Sequence, residues 1–201
     1  GRHMTFTGTF TANTSTVVFD TGLNGNVGSY SFNNVTINKS AEANTVTSNT
    51  GAWTVTGNLV LTRGTWVAGP YIHSIANNWN SSNANFSLTE AGSTIRLTSA
   101  NPTITTEGAG DPFNNLTLDN GGTLGSAVNV TGALLLSAGT LNTGTSNITV
   151  GTLNHQAAGA SITGTTGTIA VTNATLGRPV TKTGGNITIT GGAVNLTGTT
   201  T

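Results

Sequence analysis

The chain has 201 residues, and only 6% of them are charged: six basic and six acidic residues give a formal net charge of zero. Binding of nucleic acid or of a membrane surface needs clustered cations, so this composition excludes a nucleic-acid-binding protein and a basic membrane-surface helix. Cysteine is absent, which excludes a disulfide framework and a thiolate metal site, and no apolar run approaches the roughly 18 residues of a membrane-spanning helix.

Short segments in which apolar residues alternate with Thr or Asn recur along the chain, as expected for strands with one buried face. Strands are predicted at residues 17–19, 35–37, 53–55, 59–61, 86–88, 95–97, 116–118, 128–130, 134–136, 148–150, 169–171, 187–189 and 194–196. Turns rich in Gly, Asn and Ser separate these segments, and no stretch has a helical period. The β-branched residues that dominate them favour strands over helices. The sequence therefore predicts an all-β protein.

Two strings of residues occur twice, in the same order. Phe32–Ile37 (FNNVTI) returns as Phe113–Leu118 (FNNLTL), and Val55–Leu61 (VTGNLVL) returns as Val130–Leu136 (VTGALLL). The offset is 81 for the first string and 75 for the second. Repeats of short strands that cannot bury their own apolar faces are typical of stacked arrays.

A parallel β-solenoid (β-helix) is the architecture that this repeat favours. The repeat divides into about four coils of ~20 residues, a coil size typical of β-solenoids. Thr and Asn recur at like places in successive units, where stacked coils would form side-chain ladders. The alternative is a β-sandwich, because turns such as the one at residues 119–122 (DNGG) are also hairpin signals.

Residues 1–4 (GRHM) are interpreted as a cloning scar. Residues 5–201 are expected to form a single β-solenoid domain, made of two repeats of about 75–81 residues and a more irregular C-terminal part.

The repeated strings resemble the β-strand repeats of very large bacterial cell-surface, adhesin-like proteins. In those repeats a Thr-Phe-Thr-Ala segment leads to a Phe-x-Asn-Leu-Thr-Ile strand, followed by a Val-Thr-Gly-Asn-Leu-Thr-Leu segment. This chain has Thr9–Phe19 (TFTANTSTVVF), then Phe32–Ile37, then Val55–Trp66, and the resemblance covers roughly residues 9–151. It departs from the family pattern at Trp66, where leucine is usual. The resemblance implies a stalk or filamentous surface layer with no catalytic residues.

Aromatic residues are concentrated between Gly64 and Phe86. Trp66 aligns with Leu141 at the repeat offset, which favours a core position for this ring. The alternative is a platform on which Trp66, Tyr71 and Trp79 stack against a carbohydrate ligand.

The densest acidic stretch lies between Glu107 and Asp111, just before Pro112. A solvated turn is the favoured interpretation, and a weak Ca²⁺ site formed by Glu107 and Asp111 is the alternative. No other cofactor is expected.

His73 and His155 have no second His or Cys at metal-ligand spacing, and His73 is expected at the surface. Arg96 replaces the apolar Val18 of the first unit and is expected to point outward.

The function predicted from these observations is that of a non-catalytic structural or adhesive segment of a bacterial extracellular protein, located at the cell surface. Its expected partners are neighbouring repeats of the same polypeptide, and a cell-surface glycan or another surface protein. A carbohydrate-binding module on a β-helix scaffold is the alternative. Ice binding is less favoured, because the Thr-x-Thr strings are not spaced by multiples of one coil length. An enzyme is not expected, because no catalytic motif is present.

Overall fold

A computed structural model describes residues 2–4, 10–107, 112–155, 157–191 and 194–196 of the chain. Within these residues the regular structure consists of strands. The strands are β1 (Arg2–Met4), β2 (Thr16–Phe19), β3 (Gly25–Val27), β4 (Tyr30–Phe32), β5 (Asn34–Asn38), β6 (Thr45–Ser48), β7 (Trp53–Val55), β8 (Leu59–Val67), β9 (Ile72–Ile75), β10 (Trp79–Ser81), β11 (Phe86–Thr89), β12 (Thr94–Ala100), β13 (Thr103–Thr106), β14 (Asn115–Leu124), β15 (Val128–Leu136), β16 (Thr140–Asn142), β17 (Ile148–His155), β18 (Ser161–Gly164), β19 (Ile169–Leu176), β20 (Val180–Lys182), β21 (Ile187–Ile189) and β22 (Val194–Leu196). The described part of the chain has no helix long and apolar enough to cross a membrane.

The chain winds into a parallel β-solenoid of about eight turns. All strand pairs among the described residues are parallel, and strands pair with strands of a neighbouring turn, as Thr16 does with Asn34 and Trp79 with Ile104. One turn takes roughly 20 residues, the predicted coil length, and the solenoid prediction is confirmed over the sandwich. The DNGG string is part of β14 rather than a hairpin. There Gly121 adopts a φ of 82°, which lets the chain bend without reversing.

Each segment that the sequence predicts as a strand lies within one of these strands. The strands that the prediction missed include β6, β16 and β18, whose sequences are TVTS, TLN and SITG. Each of these three has only one aliphatic side chain, so its sequence has too few apolar residues for a period of two to be recognised. They form because the turns before and after them already supply hydrogen-bonding partners.

The core is a narrow column inside the coil. Buried and exposed residues alternate along the strands, and parallel pairing places the inward residue of one turn against the inward residue of the next. Leu116 pairs with Leu134, and Leu118 pairs with Leu136; all four side chains are at most 1% exposed. Burying an aliphatic side chain of this size stabilises a fold by about 1.5–3 kcal/mol. Each turn therefore contributes its own inward side chains to the core and adds to the stability of the fold.

The two repeated strings form a unit that spans two adjacent turns. In the first copy Val35 pairs with Leu59, and the backbone amide of Gly57 donates to the Asn33 carbonyl (2.7 Å). The Asn34 side chain accepts from the Asn58 amide (2.8 Å) and donates to the Asn33 side chain (2.7 Å). Two asparagines thus satisfy the backbone groups left open where the chain turns a corner.

The second copy repeats this corner. The Gly132 amide donates to the Asn114 carbonyl (2.7 Å), and the Asn115 side chain accepts from the Ala133 amide (2.9 Å) and donates to the Asn114 side chain (2.8 Å). A Cβ atom on Gly132 would lie 2.6 Å from the Asn115 Oδ1 atom and 2.7 Å from the Asn114 carbonyl oxygen. Glycine is therefore required at this position because the neighbouring turn approaches too closely for any side chain.

The repeat of the sequence is out of phase with the turns of the solenoid. Along one stack of strands, Phe32 pairs with Val55, Val55 with Ile75, Ile75 with Leu97 and Leu97 with Leu118. Four whole turns from Phe32 therefore end at Leu118 and not at its sequence counterpart, Phe113. The repeat offset of 75–81 residues is therefore slightly shorter than these four turns.

Replacement of either corner glycine by alanine is expected to destabilise the fold by about 1–3 kcal/mol, the usual cost of overpacking a tight site. In Gly57→Ala the new Cβ atom would lie 2.5 Å from the Asn34 Oδ1 atom and 2.8 Å from the Asn33 carbonyl oxygen. Urea denaturation monitored by circular dichroism measures the change. Gly191→Ala is the control, since its Cβ atom would meet only a methyl group of Thr172 at 3.9 Å. A cost for Gly57→Ala no larger than that of the control would contradict the close-approach argument.

Candidate functional site

The tryptophans form a ladder of rings inside the solenoid. The Trp53 and Trp66 rings are stacked with centroids 4.9 Å apart, and Trp66 and Trp79 are stacked at 6.2 Å. Phe19 extends the ladder at one end and Phe113 at the other, with centroid distances of 5.8 Å to Trp53 and 5.1 Å to Trp79. Each tryptophan lies in a different stack of strands, so the rings meet across the interior of the coil and are not register partners.

The indole N–H groups are satisfied inside the core. Trp66 donates to the Ser48 hydroxyl (3.0 Å), and Trp79 donates to the Ser81 hydroxyl (2.9 Å). Trp66 is 0% exposed and Trp79 is 1% exposed. A platform that stacks on a sugar needs an open ring face, and these two rings offer none. Their position agrees with the core interpretation of the aromatic segment.

Tyr71 is the half-buried member of the predicted platform. Its hydroxyl donates to the Asn49 carbonyl (3.1 Å), and its ring meets the His73 ring edge-on at a centroid distance of 6.4 Å. Tyr71 thus joins two turns of the coil. The structure does not bring Tyr71, Trp66 and Trp79 together on one exposed face.

His73 lies in the core, and the expectation that it is a surface residue is wrong. It is 0% exposed; its Nδ1 atom accepts from the Trp53 amide (3.0 Å), and its Nε2 atom lies 2.8 Å from the Ala68 carbonyl oxygen. This geometry requires the neutral ring with the proton on Nε2. Burial lowers the pKa of His73, and the hydrogen bond to Ala68 opposes this only in part. The alternation of buried and exposed residues along the strand predicts an inward side chain at this position, because His73 shares its strand face with the buried Ile75.

His155 is a second buried histidine with a different environment. It is 0% exposed, and neither ring nitrogen has a hydrogen-bond partner among the described residues. Burial lowers the pKa of His155; the Ala160 backbone opposes this shift, and the charge of Arg178 adds to it. His155 shares the inward face of β17 with Leu153. Both core histidines are therefore neutral at pH 7.

The acidic residues do not form a metal site within the described ranges. Glu107 is exposed, and Asp111 lies outside the described residues. No group of three or more His, Cys, Asp or Glu side chains in the described part of the chain could hold a metal ion. Asp119 instead forms an ion pair with Arg96 on the neighbouring turn (3.0 Å). The side chain of Arg96 is 49% exposed, which confirms its outward position.

A cavity of about 430 Å³ lies between β2 and β3, near the N-terminal end of the coil. Lys39 is 3% exposed in its wall, and its ammonium group donates to the Leu23 carbonyl (2.7 Å) and the Thr21 hydroxyl (3.3 Å). Burial lowers the pKa of Lys39, and the charge of Asp20 opposes the shift. The ammonium group is thus bonded by the protein itself, which is typical of a structural lysine.

A second depression, of about 360 Å³, crosses the strands of the C-terminal half and is called the polar groove below. It is lined by Asn101, Asn120, Thr123, Thr140, Asn142 and Thr163. All six side chains carry amide or hydroxyl groups, and none is charged or aromatic. None of these six residues is among the site residues predicted from the sequence. The feature of the sequence that indicates the site is the spacing of Thr123, Asn142 and Thr163, which follow one another at intervals of one turn.

Comparison with models of known protein families, with curated protein sequences and with solved structures gave no match.

The Trp66→Ala substitution removes the central ring of the tryptophan ladder. It is expected to lower the free energy of unfolding by about 3–5 kcal/mol, the usual range for truncation of a large buried aromatic residue. Tyr71→Phe is the matched control, because it removes one hydroxyl hydrogen bond and is expected to cost about 0.5–1.5 kcal/mol. Chemical denaturation of both variants measures the difference. Equal costs would contradict the placement of Trp66 in the core.

Stability is expected to fall as the pH decreases below about 6.5, the pKa of histidine in the unfolded chain. Both core histidines have lowered pKa values, so in this range the unfolded chain binds protons that the folded chain does not. Each histidine then contributes a slope of up to about 1.4 kcal/mol per pH unit, and above pH 7.5 neither contributes. Urea denaturation between pH 5 and 8 measures the slope.

Two variants separate the two histidines. His155→Leu is expected to be neutral or stabilising at pH 7.5, because it replaces unpaired ring nitrogens with apolar atoms. His73→Leu is expected to be destabilising by about 1–3 kcal/mol or more, since it leaves the Trp53 amide and the Ala68 carbonyl unpaired. Each variant should reduce the acid slope. A wild-type stability that does not change between pH 5 and 7.5 would rule out both arguments.

Proposed function

We propose that the chain is a non-catalytic structural or adhesive segment of a bacterial extracellular protein, in the role of a stalk or surface-layer repeat. The observation that carries this proposal is a continuous stack of nine parallel strands, from Tyr30–Phe32 to Ile187–Ile189. At ~4.8 Å per strand, eight steps extend for about 40 Å along the coil axis. Such a stack resists bending because each turn is hydrogen-bonded to the next and has its own filled core.

The surface composition supports an extracellular role that is structural or adhesive and not catalytic. Thr, Asn and Ser occupy many of the outward positions, and charged residues make up only 6% of the chain. The repeated strings resemble the β-strand repeats of large bacterial surface proteins. The proposed location is therefore the bacterial cell surface, and the proposal includes no cofactor.

Neighbouring repeats of the same polypeptide are the proposed structural partners. Within the described residues, Thr16–Phe19 pairs only with Asn34–Asn38, and Val180–Lys182 pairs only with Ser161–Gly164. In that part of the chain each of these two strands has one open edge along the coil axis, where a further parallel strand can add. A longer stalk would continue the same pairing in both directions.

A carbohydrate-binding module is the second candidate function. The polar groove favours it, because amide and hydroxyl groups are the usual hydrogen-bonding partners of sugar hydroxyls. The two functions are compatible, since an adhesive stalk needs a surface that recognises a ligand.

The size and location of the native polypeptide test the stalk proposal. Surface fractions from the source cells are probed by immunoblot and mass spectrometry, with a cytosolic protein as the control for lysis. A surface-exposed product many times larger than 20.1 kDa is expected. A product of about 20.1 kDa, or one confined to the cytosolic fraction, would contradict the proposal.

A further inference from the structure

The polar groove contains hydrogen-bonding atoms that the protein itself does not use. Thr123 donates to the Asn101 Oδ1 atom (3.3 Å), and the Asn142 Oδ1 atom accepts from the Gly144 amide (3.0 Å). These bonds orient the two amide groups but leave the Nδ2 atoms of Asn101 and Asn142 without a partner among the described residues. The hydroxyl of Thr163 is also available there. The groove is therefore preorganised and still has donors and acceptors to offer.

Thr123, Asn142 and Thr163 belong to a ladder of side chains that crosses five turns. Thr103 pairs with Thr123, Thr123 with Asn142, Asn142 with Thr163, and Thr163 with Thr181. Neighbouring strands of a sheet lie about 4.8 Å apart, so a polar group repeats at that interval along the coil axis. This interval is close to the length of one sugar unit in an extended polysaccharide chain. Successive units of such a chain can meet equivalent groups on successive turns.

A second row of hydroxyl groups runs beside the first. Thr140 lies two positions before Asn142 and pairs with Ser161, and their hydroxyl oxygens are 2.7 Å apart. On the preceding turn Thr140 pairs with Gly121, and the adjacent Asn120 also lines the groove. The Asn120 Nδ2 atom donates to the Thr98 carbonyl (3.1 Å). The Asn120 Oδ1 atom is left as a free acceptor among the described residues. The groove is therefore two side chains wide, which gives it two walls along its length.

The charge and shape of the groove restrict the class of ligand. Its six lining residues carry no charge, so nothing in the lining compensates an anionic sugar or a phosphate. None of them is aromatic, so binding cannot rely on stacking against a ring. What the groove offers is a line of neutral donors and acceptors at regular spacing. A neutral ligand with many hydroxyl groups and the same repeat matches this line.

We propose that the polar groove binds a neutral polysaccharide in an extended conformation, with its chain parallel to the coil axis and across the strands. This inference rests on the adhesive part of the proposed function and identifies its surface and ligand class. The binding site lies in the Asn/Thr ladder of the C-terminal half and not in the aromatic segment around Tyr71. Affinity comes from several equivalent contacts along one chain, so it increases with the length of the oligosaccharide.

Sedimentation with insoluble neutral polysaccharides tests the proposal, with cellulose, chitin and β-1,3-glucan as probes. Soluble oligosaccharides of increasing length from the same polymers are then titrated by calorimetry. The Asn101→Ala/Asn142→Ala variant is expected to bind at least tenfold more weakly than the wild type to the polysaccharide that is retained. Asn154→Ala/Asn173→Ala is the matched control, because both residues are exposed asparagines on a different stack of strands. Circular dichroism confirms that both variants are folded.

Retention that Asn101→Ala/Asn142→Ala loses and the control keeps would support the proposal. Absence of retention on every probe would overturn it, as would retention that both double variants keep. Inhibition of ice recrystallisation by the wild type, lost in Asn101→Ala/Asn142→Ala, would also overturn it, because the array would then order water instead of sugar. The stalk proposal is tested separately by size and location of the native polypeptide, so the two proposals can fail independently.

Discussion

Parallel, in-register hydrogen bonding between successive turns of the coil is the constraint on which the rest of this structure depends. It fixes which residue of one turn lies above which residue of the next. Any side chain that points inward on one turn therefore meets an inward side chain on its neighbours. A register shift of one residue would move each inward side chain of that strand to the surface. The core, the corners and the surface ladders all follow from this single condition.

The inward positions that the register defines hold both the largest and the most polar core residues. Trp53, Trp66 and Trp79 point inward from three different stacks of strands, and their rings stack inside the coil. His73 is buried beside them and bridges the Trp53 amide and the Ala68 carbonyl. A polar ring at this position costs little because both of its nitrogens are bonded. His155 has no such partners, so the C-terminal half carries a polar group whose burial is uncompensated within the described residues.

The same register organises the surface, where the ligand site is proposed. Outward Thr and Asn residues of several successive turns align, and together they form ladders of polar side chains. The polar groove arises where two such ladders run side by side with Asn101 and Asn120 on adjoining turns. A stalk and an adhesive surface therefore use one scaffold: the inward positions supply rigidity, and the outward positions supply recognition.

The all-β class, the short strands and the approximate turn length could be predicted from the sequence, because they depend on alternation and repeat spacing. Strands such as Thr45–Ser48 could not, because a single inward apolar residue leaves no local pattern. The outward position of Arg96 was predictable from alternation. His73 was mispredicted although the same alternation, counted from Ile75, places it inside.

Local patterns of residues specify the architecture and its repeated corner, since Phe-Asn-Asn and Thr-Gly carry the hydrogen bonds and the missing Cβ atom that the corner requires. The placement of those corners could not be read from local patterns, since turns of unequal length bring Leu118, and not Phe113, into line with Phe32. The set of Asn and Thr residues that share a groove depends on the same turns. Contacts between turns depend on the length of every intervening loop, which no local pattern of residues specifies.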